Sequence, residues 1–435
     1  MTVSIARDSV VIVVLLSLVI VPLTAVPPVT AQSTSSNETG ANGSAVQGNE
    51  PALPDVDLSR STVIDVAERA RSKEGVSVRE TDDYTIITPE AGVRTGIRVG
   101  TNEIAQNVLV DLSADGSNFR FNLVGQNPAV RNIGFTGEST VRDEQVSLIH
   151  VGHDRGVAYI ANIYAGDGGV SSNPDDYAGA KMVFVNRRSG GPTLIRGCNV
   201  GGFADNGIYA SAPGIQSRPS SGEPVYVTDC YAQNSGTANY RLGSNGSMLI
   251  NSISVLTDQP PGKQGAINNR GLWAREQGTV IVRDTIFFHP HEGDGAGWII
   301  RTGGGGTPDG GRVITQGVRV APFNDSRLGG SGGSLDESGI AAIQRDLSQI
   351  PIPEAVPASA VTAASGSAGE FQSVNAPDGQ AGSSSAVGGD TGASGGIVGA
   401  LAPALVLTIG GVVLVCLLGG GVVLGLLVLM SKRVR

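Results

Sequence analysis

One seven-residue pattern recurs seven times between residues 129 and 319, and it leaves few folds open to the chain. Its copies are AVRNIGF (129–135), YIANIYA (159–165), LIRGCNV (194–200), YVTDCYA (226–232), LINSISV (249–255), IVRDTIF (281–287) and VITQGVR (313–319). The offsets between copies are 30, 35, 32, 23, 32 and 32 residues. Repetition of that length predicts a stacked, quasi-one-dimensional architecture in which each unit contacts only its neighbours.

The columns of the pattern explain why the units stack. Position two is always aliphatic: Val130, Ile160, Ile195, Val227, Ile250, Val282 and Ile314. Position four is polar or turn-prone: Asn132, Asn162, Gly197, Asp229, Ser252, Asp284 and Gln316. Position five holds Ile133, Ile163, Cys198, Cys230, Ile253, Thr285 and Gly317, all small enough to be buried. A strand alternates faces with period two, so inward side chains at positions two and five require a bend between them. Asn, Asp and Gly at position four supply it. No single unit can bury a core, but strands stacked ~4.8 Å apart bury a continuous aliphatic ladder. The fold class expected is all-β: a parallel β-solenoid over residues 58–326.

With NVGGFADNGIY (199–209) beside it, this pattern resembles the right-handed parallel β-helix proteins of the pectate lyase-like superfamily. It looks most like cell-surface members from halophilic archaea. The resemblance covers roughly residues 57–323. It implies a right-handed parallel β-helix, and it leaves function open, because that fold hosts lyases, hydrolases and adhesins.

Outside the repeats the chain divides by composition. Residues 1–31 read as a Sec-type signal peptide, with a charge-free apolar run ending in small residues; a permanent N-terminal anchor is the alternative. Residues 32–57 read as a disordered spacer. A short helix is predicted over 62–72, N-capped by Ser61 and stopped by Gly75, covering the open end of the solenoid. SLDE at 334–337 matches a capping box and predicts a second short helix over 334–350. Residues 351–396 form an Ala/Ser/Gly-rich stalk. Residues 397–430 carry no charge and are long enough to span a bilayer as a transmembrane helix. The basic tail at 431–435 places the C-terminus in the cytoplasm and the solenoid outside, as a single-pass protein of the cell membrane. A removable lipid-anchor or sorting signal is the alternative for this end.

The net charge of −9 argues against a nucleic-acid partner. Two cysteines, Cys198 and Cys230, share a column, where they read as buried thiols that act as small hydrophobes, with a bridge as the alternative. In an exported chain the sequons at Asn37, Asn42, Asn245 and Asn324 are candidate glycosylation sites.

A second strand column carries the candidate chemistry. Aligning IYAS (208–211), YRLG (240–243), LWAR (272–275) and WIIR (298–301) points Ile208, Tyr240, Leu272 and Trp298 inward. Tyr209, Arg241, Trp273, Arg275 and Arg301 then point outward. Rings stack on the C–H faces of sugars and guanidinium forks bind carboxylates or sulfates, so this face is a candidate for polysaccharide or surface glycan. Asn206, Asn239 and Asn269 precede the strands and are candidates for added hydrogen bonds. The competing reading is an ordinary exposed sheet face.

A polysaccharide lyase or glycoside hydrolase in the same groove is the alternative function, and catalytic residues are not identifiable. The resemblance implies a Ca²⁺ site only for a lyase, built on aspartates of adjacent coils. Here Asp229 and Asp284 are interrupted by Ser252, and Asp205 aligns with Thr237 and Asn269, so no cofactor or metal is expected. The histidines fall in two pairs, His150 with His153 and His289 with His291, read as loop residues rather than metal ligands.

Overall fold

Eight residues in one column hold left-handed backbone and bend eight successive coils at the same place. They are Asn107, Asn132, Asn162, Gly197, Asp229, Asn251, Asp284 and Gly317, with φ between 42° and 62°. Asn, Asp and Gly are the residues that tolerate this conformation. Side-chain amides link the column: Asn132 Nδ2 donates to Asn107 Oδ1 (3.1 Å), Asn162 Nδ2 to Asn132 Oδ1 (2.6 Å), and Asn251 Nδ2 to Asp229 Oδ1 (2.6 Å).

The structure, a computed structural model, describes residues 52–137, 146–165, 180–214, 222–260, 269–292, 297–304, 310–322, 327–330 and 332–343, with Thr408, Ile409, Val412 and Val413. It is nearly all parallel β. Among the described residues, 17 strands form one sheet and nine form another. In the larger sheet two limbs meet at the left-handed column. Thr193–Gly201 runs through both, whereas later coils split into pairs such as Val225–Thr228 and Tyr231–Gln233. Each coil then crosses to the nine-stranded sheet and returns, the stacked parallel arrangement of a β-helix-like solenoid.

The bend turns both flanking positions inward. Val130, Ile160, Ile195, Val227, Leu249 and Val282 are fully buried before it, as are Ile163, Cys198, Cys230, Thr285 and Val318 after it. Polar members of the second ladder fold over the carbonyl two residues back. Ser252 Oγ donates to Ile250 O (2.7 Å), Thr285 Oγ1 to Arg283 O (2.9 Å) and Cys230 Sγ to Thr228 O (3.2 Å). A buried hydroxyl is thus satisfied without leaving its own strand. Cys198 and Cys230 are free, buried thiols, and Cys198 N–H donates to Cys230 Sγ (3.4 Å).

The observed register corrects two of the seven copies. Val227 pairs with Leu249 and Val282 with Thr315, so the fifth and seventh units begin one residue earlier and one residue later than the sequence pattern suggested. Asn251 and Gly317, not Ser252 and Gln316, occupy the bend.

The ends also differ from expectation. Thr62–Val63 is a strand on Glu103 and Ile104, and the helix is only Val66–Arg71, capped by Asp65, whose carboxylate accepts from Glu68 N (2.8 Å). The β-branched Thr62 and Val63 fit a sheet edge better than a first helical turn. Arg69 clamps the helix to the first coil through Glu103 (2.8 Å). At the other end the predicted helix over 334–350 is absent from its described part. Ser334–Asp336 and Ile340–Ala342 instead form one more coil, with a 3-10 turn Glu337–Gly339 at the corner. Leu335 and Ile340 pack on the core, so their burial overrides the local capping signal. Residues 52–57 lack regular structure, yet Val56 packs on Leu194, Tyr226 and Met248 outside the sheet, so this part of the expected spacer is placed.

The segments expected to be a signal peptide, the rest of the spacer and a stalk lie outside the described residues. Of segment 397–430, only Thr408–Ile409 and Val412–Val413 are described, as a short antiparallel pair in a second unit spanning residues 375–435. Among the described residues no helix is long and apolar enough to cross a membrane.

The left-handed column makes a quantitative demand on position four. Asn132→Ala removes both amide bonds and places a Cβ residue without local compensation at φ 51°, for a loss of roughly 2–3 kcal/mol. Asn132→Gly keeps the backbone and loses only the amides. Thermal unfolding should rank wild type above Asn132→Gly and Asn132→Gly above Asn132→Ala; the reverse order of the variants would contradict the bend's role.

Candidate functional site

The nine-stranded sheet presents a single outward row. Register places Arg98, Asn122, His150, Phe184, Tyr209, Arg241, Trp273, Arg301 and Gly329 opposite one another on successive coils. Their neighbours Ile97, Phe121, Ile149, Val183, Ile208, Tyr240, Leu272 and Ile300 point into the core and are essentially fully buried. Each strand therefore contributes an inward–outward–inward triplet, the normal alternation of a half-buried sheet. Tyr209, Arg241 and Trp273 stand in the row as the sequence suggested, and Arg301 joins it opposite Trp273 rather than opposite Arg275. Arg275 lies two residues beyond Trp273 on the same face. Trp298 does not take the inward place beside Leu272; Ile300 does, because the strand Ile300–Thr302 is shifted by two residues. Trp298 sits half-buried at the entrance, with Arg301 over its ring at 5.8 Å.

The row has two halves of different chemistry. From His150 to Tyr209 it is aromatic: His150 meets Phe184 edge-on at 5.2 Å, and Phe184 meets Tyr209 at 5.1 Å. From Arg241 onward it is cationic. The Arg241 guanidinium lies between two rings, 4.0 Å from Tyr209 and 4.5 Å from Trp273. Arg270, Arg275 and Arg301 approach the same indole at 4.1, 5.3 and 5.8 Å. Such cation–π contacts are worth roughly 0.5–2 kcal/mol each and offset part of the repulsion among like charges. Trp273 is held in place by its Nε1–H, which donates to Gly303 O (2.7 Å). Glycine at 304 leaves room for the Arg301 guanidinium, since a Cβ there would lie 2.6 Å from its Nη2.

The electrostatics follow from burial. Arg241 and Arg270 are only 5% and 4% exposed. Burial, reinforced by Arg301, Arg241 and Arg275, pushes the Arg270 guanidinium down to about 9, still cationic at neutral pH. Burial also lowers Arg241 and Arg301. Glu276 is the carboxylate beside the cluster, 3.5 Å from Arg275, and burial raises its pKa against the pull of Arg275 and Arg241. Elsewhere arginines have conventional partners, such as Arg196 with Asp229 (3.2 Å) and Arg131 with Gln106 (2.7 Å).

The three asparagines differ in placement. Asn239 faces the interior, where its amide donates to Ser254 Oγ (2.8 Å) and Val255 O (3.0 Å) and its oxygen accepts from Ser235 N (3.1 Å). It is a core residue and leaves the groove set. Asn206 is buried beside the Lys181–Asp205 ion pair (3.1 Å) and donates to Asp205 Oδ1 (2.8 Å). Asn269 is buried with neither amide atom hydrogen-bonded. Asn245 is exposed, its oxygen accepting from Thr279 N (3.2 Å), while Asn37, Asn42 and Asn324 lie outside the described residues.

Sequence reasoning missed His150 and Phe184 as members of the row. The triplets IHV (149–151) and VFV (183–185) carried the signal, since both match the IYA and LWA triplets in parity. Of the histidines read as loop residues, His150 lies on the strand Ser147–Val151, while His153 and His289 lie outside the strands but are buried. His153 is buried with Nε2 3.2 Å from Gly156 O, and His289 is buried with Nε2 3.0 Å from Ser254 Oγ. Among the described residues no three His, Cys, Asp or Glu side chains gather as a metal site. Comparison of the sequence with family models and with curated proteins gives no match.

His289 supplies a pH-dependent test of this interior. Burial, with Arg327 beside it, pushes its imidazole down to about 3, so the folded chain keeps it neutral while the unfolded chain protonates near 6.5. The folded state therefore loses stability as pH falls from 6.5 towards 3, by up to about 1.4 kcal/mol per unit. Denaturant midpoints between pH 6.5 and 4 should fall more steeply for wild type than for His289→Gln. Parallel slopes would contradict a buried neutral imidazole.

Proposed function

We propose that this chain is a membrane-anchored cell-surface protein whose solenoid winds right-handed, as in the pectate lyase-like superfamily, and binds polysaccharide along its outward row. The observation that carries the reading is the sandwich of Arg241 between Tyr209 and Trp273, at 4.0 and 4.5 Å. Ordinary surface arginines are solvated and mobile. Here the aromatic rings fix a guanidinium in one place, so its recognition geometry is set before a ligand arrives, which lowers the entropic cost of binding. Aromatic faces at His150, Phe184 and Tyr209 extend the row over further coils and suit the apolar faces of successive sugar rings. Membrane attachment rests on the uncharged segment 397–430 and the basic tail that follows.

A second reading, turnover of the bound polysaccharide, draws on Glu276 and Arg270. Glu276 is a buried carboxyl with raised pKa, the property of a general acid, and Arg270 is shifted towards a base. A hydrolase requires a second carboxyl at controlled separation, and Asp205 is already committed to Lys181. Binding without turnover is therefore the preferred reading.

The test is affinity electrophoresis of the purified full chain through gels carrying acidic or neutral polysaccharides, with absorbance of unsaturated products followed in parallel. Retention by at least one polysaccharide is expected. Tyr209→Ala should weaken it about tenfold, equivalent to about 1.4 kcal/mol, in a variant shown to be folded by near-ultraviolet circular dichroism. Absence of retention on every gel would contradict the reading. Product formation lost in Arg270→Ala would establish the second one.

A further inference from the structure

Around Trp273 several buried arginine donors go unused. Four guanidiniums lie within 5.8 Å of one indole, and among the described residues the carboxylate of Glu276 pairs with one of them, Arg275, at 3.5 Å. Arg241, Arg270 and Arg301 carry buried nitrogens without a hydrogen bond: Nε and Nη2 of Arg241, Nε of Arg270 and Nε of Arg301. A buried guanidinium donor left unmade costs free energy, and charged donors cost the most. Arg270 does use one donor, Nη1 to Thr237 O at 3.0 Å, which fixes the head group while leaving Nε open. The rings hold the cations apart from water, and cation–π contact compensates their charge only in part. An anion is the ligand that would take up the open nitrogens of Arg241, Arg270 and Arg301.

The arrangement also restricts the kind of anion. Arg241, Arg270 and Arg301 come from three successive coils, which span about 10 Å along the solenoid, and each lies within 5.8 Å of the same indole. A carboxylate presents two oxygens in one plane, which a single guanidinium fork can saturate. A sulfate or phosphate ester presents three terminal oxygens in three directions and matches donors that arrive from three coils. We propose that Arg241, Arg270 and Arg301 form a receptor for a tetrahedral oxyanion, a sulfate or phosphate ester borne on the bound polymer. That the ester is carried by a polysaccharide rests on the function proposed above; the anion site itself does not.

Both tryptophans of the chain, Trp273 and Trp298, contact Arg301, so fluorescence excited selectively at tryptophan reports on this site. The purified full chain is titrated with sodium sulfate, sodium phosphate and sodium acetate at constant ionic strength in chloride, with isothermal titration calorimetry in parallel. Saturable binding of sulfate or phosphate is expected, at least tenfold tighter than acetate, and the stronger of the two identifies the ester. Arg241→Gln should weaken it at least tenfold, and the exposed Arg312→Gln should leave it unchanged. If near-ultraviolet circular dichroism shows that Arg241→Gln is not folded, the half-buried Arg301→Gln replaces it with the same expectation. No saturable signal from sulfate or phosphate, acetate binding equally well, or an unaffected arginine variant would overturn the assignment. Polysaccharide retention without oxyanion binding would sink this inference and leave the glycan reading standing. Oxyanion binding without any polysaccharide retention would support the receptor and sink the polymer.

Discussion

The rest of the structure depends on one backbone constraint, the left-handed residue between positions two and five of eight successive coils. An extended strand puts those positions on opposite faces. One residue at φ near 50° reverses the second, so Ile195 and Cys198, or Leu249 and Ser252, both reach the core. The conformation is costly for most side chains, and the column is correspondingly restricted to Asn, Asp and Gly. Asparagine adds a return, since its amide reaches the same residue of the next coil. Because the bend recurs in register, the coils stack in register, and a row of side chains on the far sheet lines up although loops of different lengths separate its members.

The core and the outward row obey different rules. In the core, local conflicts are resolved within each strand, as where Ser252 and Thr285 bond to their own backbone. On the outer face around Trp273 the conflict is left unresolved: buried cations crowd together and several donors go unused. Sequences generally keep charge and burial consistent, and departures from that consistency concentrate where a protein binds something. The flanking rings make the departure tolerable. Tyr209 and Trp273 supply apolar contact for the Arg241 stem and a partial counter-charge for its head, so the cluster persists in a folded chain.

Much of this was legible in the sequence because the repeat writes the same physics many times. Position two and position four each recur often enough to define an inward ladder and a bend. Legibility failed where two adjacent residues were equally suited to one place. Ile250 is as good an inward residue as Leu249, and only the left-handed Asn251 decides between them. Likewise Trp298 and Ile300 have the same parity, so alternation alone cannot tell which lies beside Leu272. The SLDE segment reads as a helix start locally, but a sheet edge offering a place for Leu335 and Ile340 outweighs that preference. Burial of His153 and His289 carried no sequence signal, because the partners that accept them, Gly156 and Ser254, come from loop closure and from a coil 35 residues earlier.

The most direct test of the outward row as a ligand surface is arginine-selective footprinting. The full chain would be labelled with a guanidinium-directed dicarbonyl, with and without a sulfated polysaccharide, and each site read by peptide mass spectrometry. Selective protection of Arg275 and Arg301, with exposed Arg79 and Arg312 labelled equally in both samples, is the predicted result. Uniform protection of all arginines, or protection confined to Arg79 and Arg312, would show that the polymer binds by diffuse charge or elsewhere, and the row would lose its role.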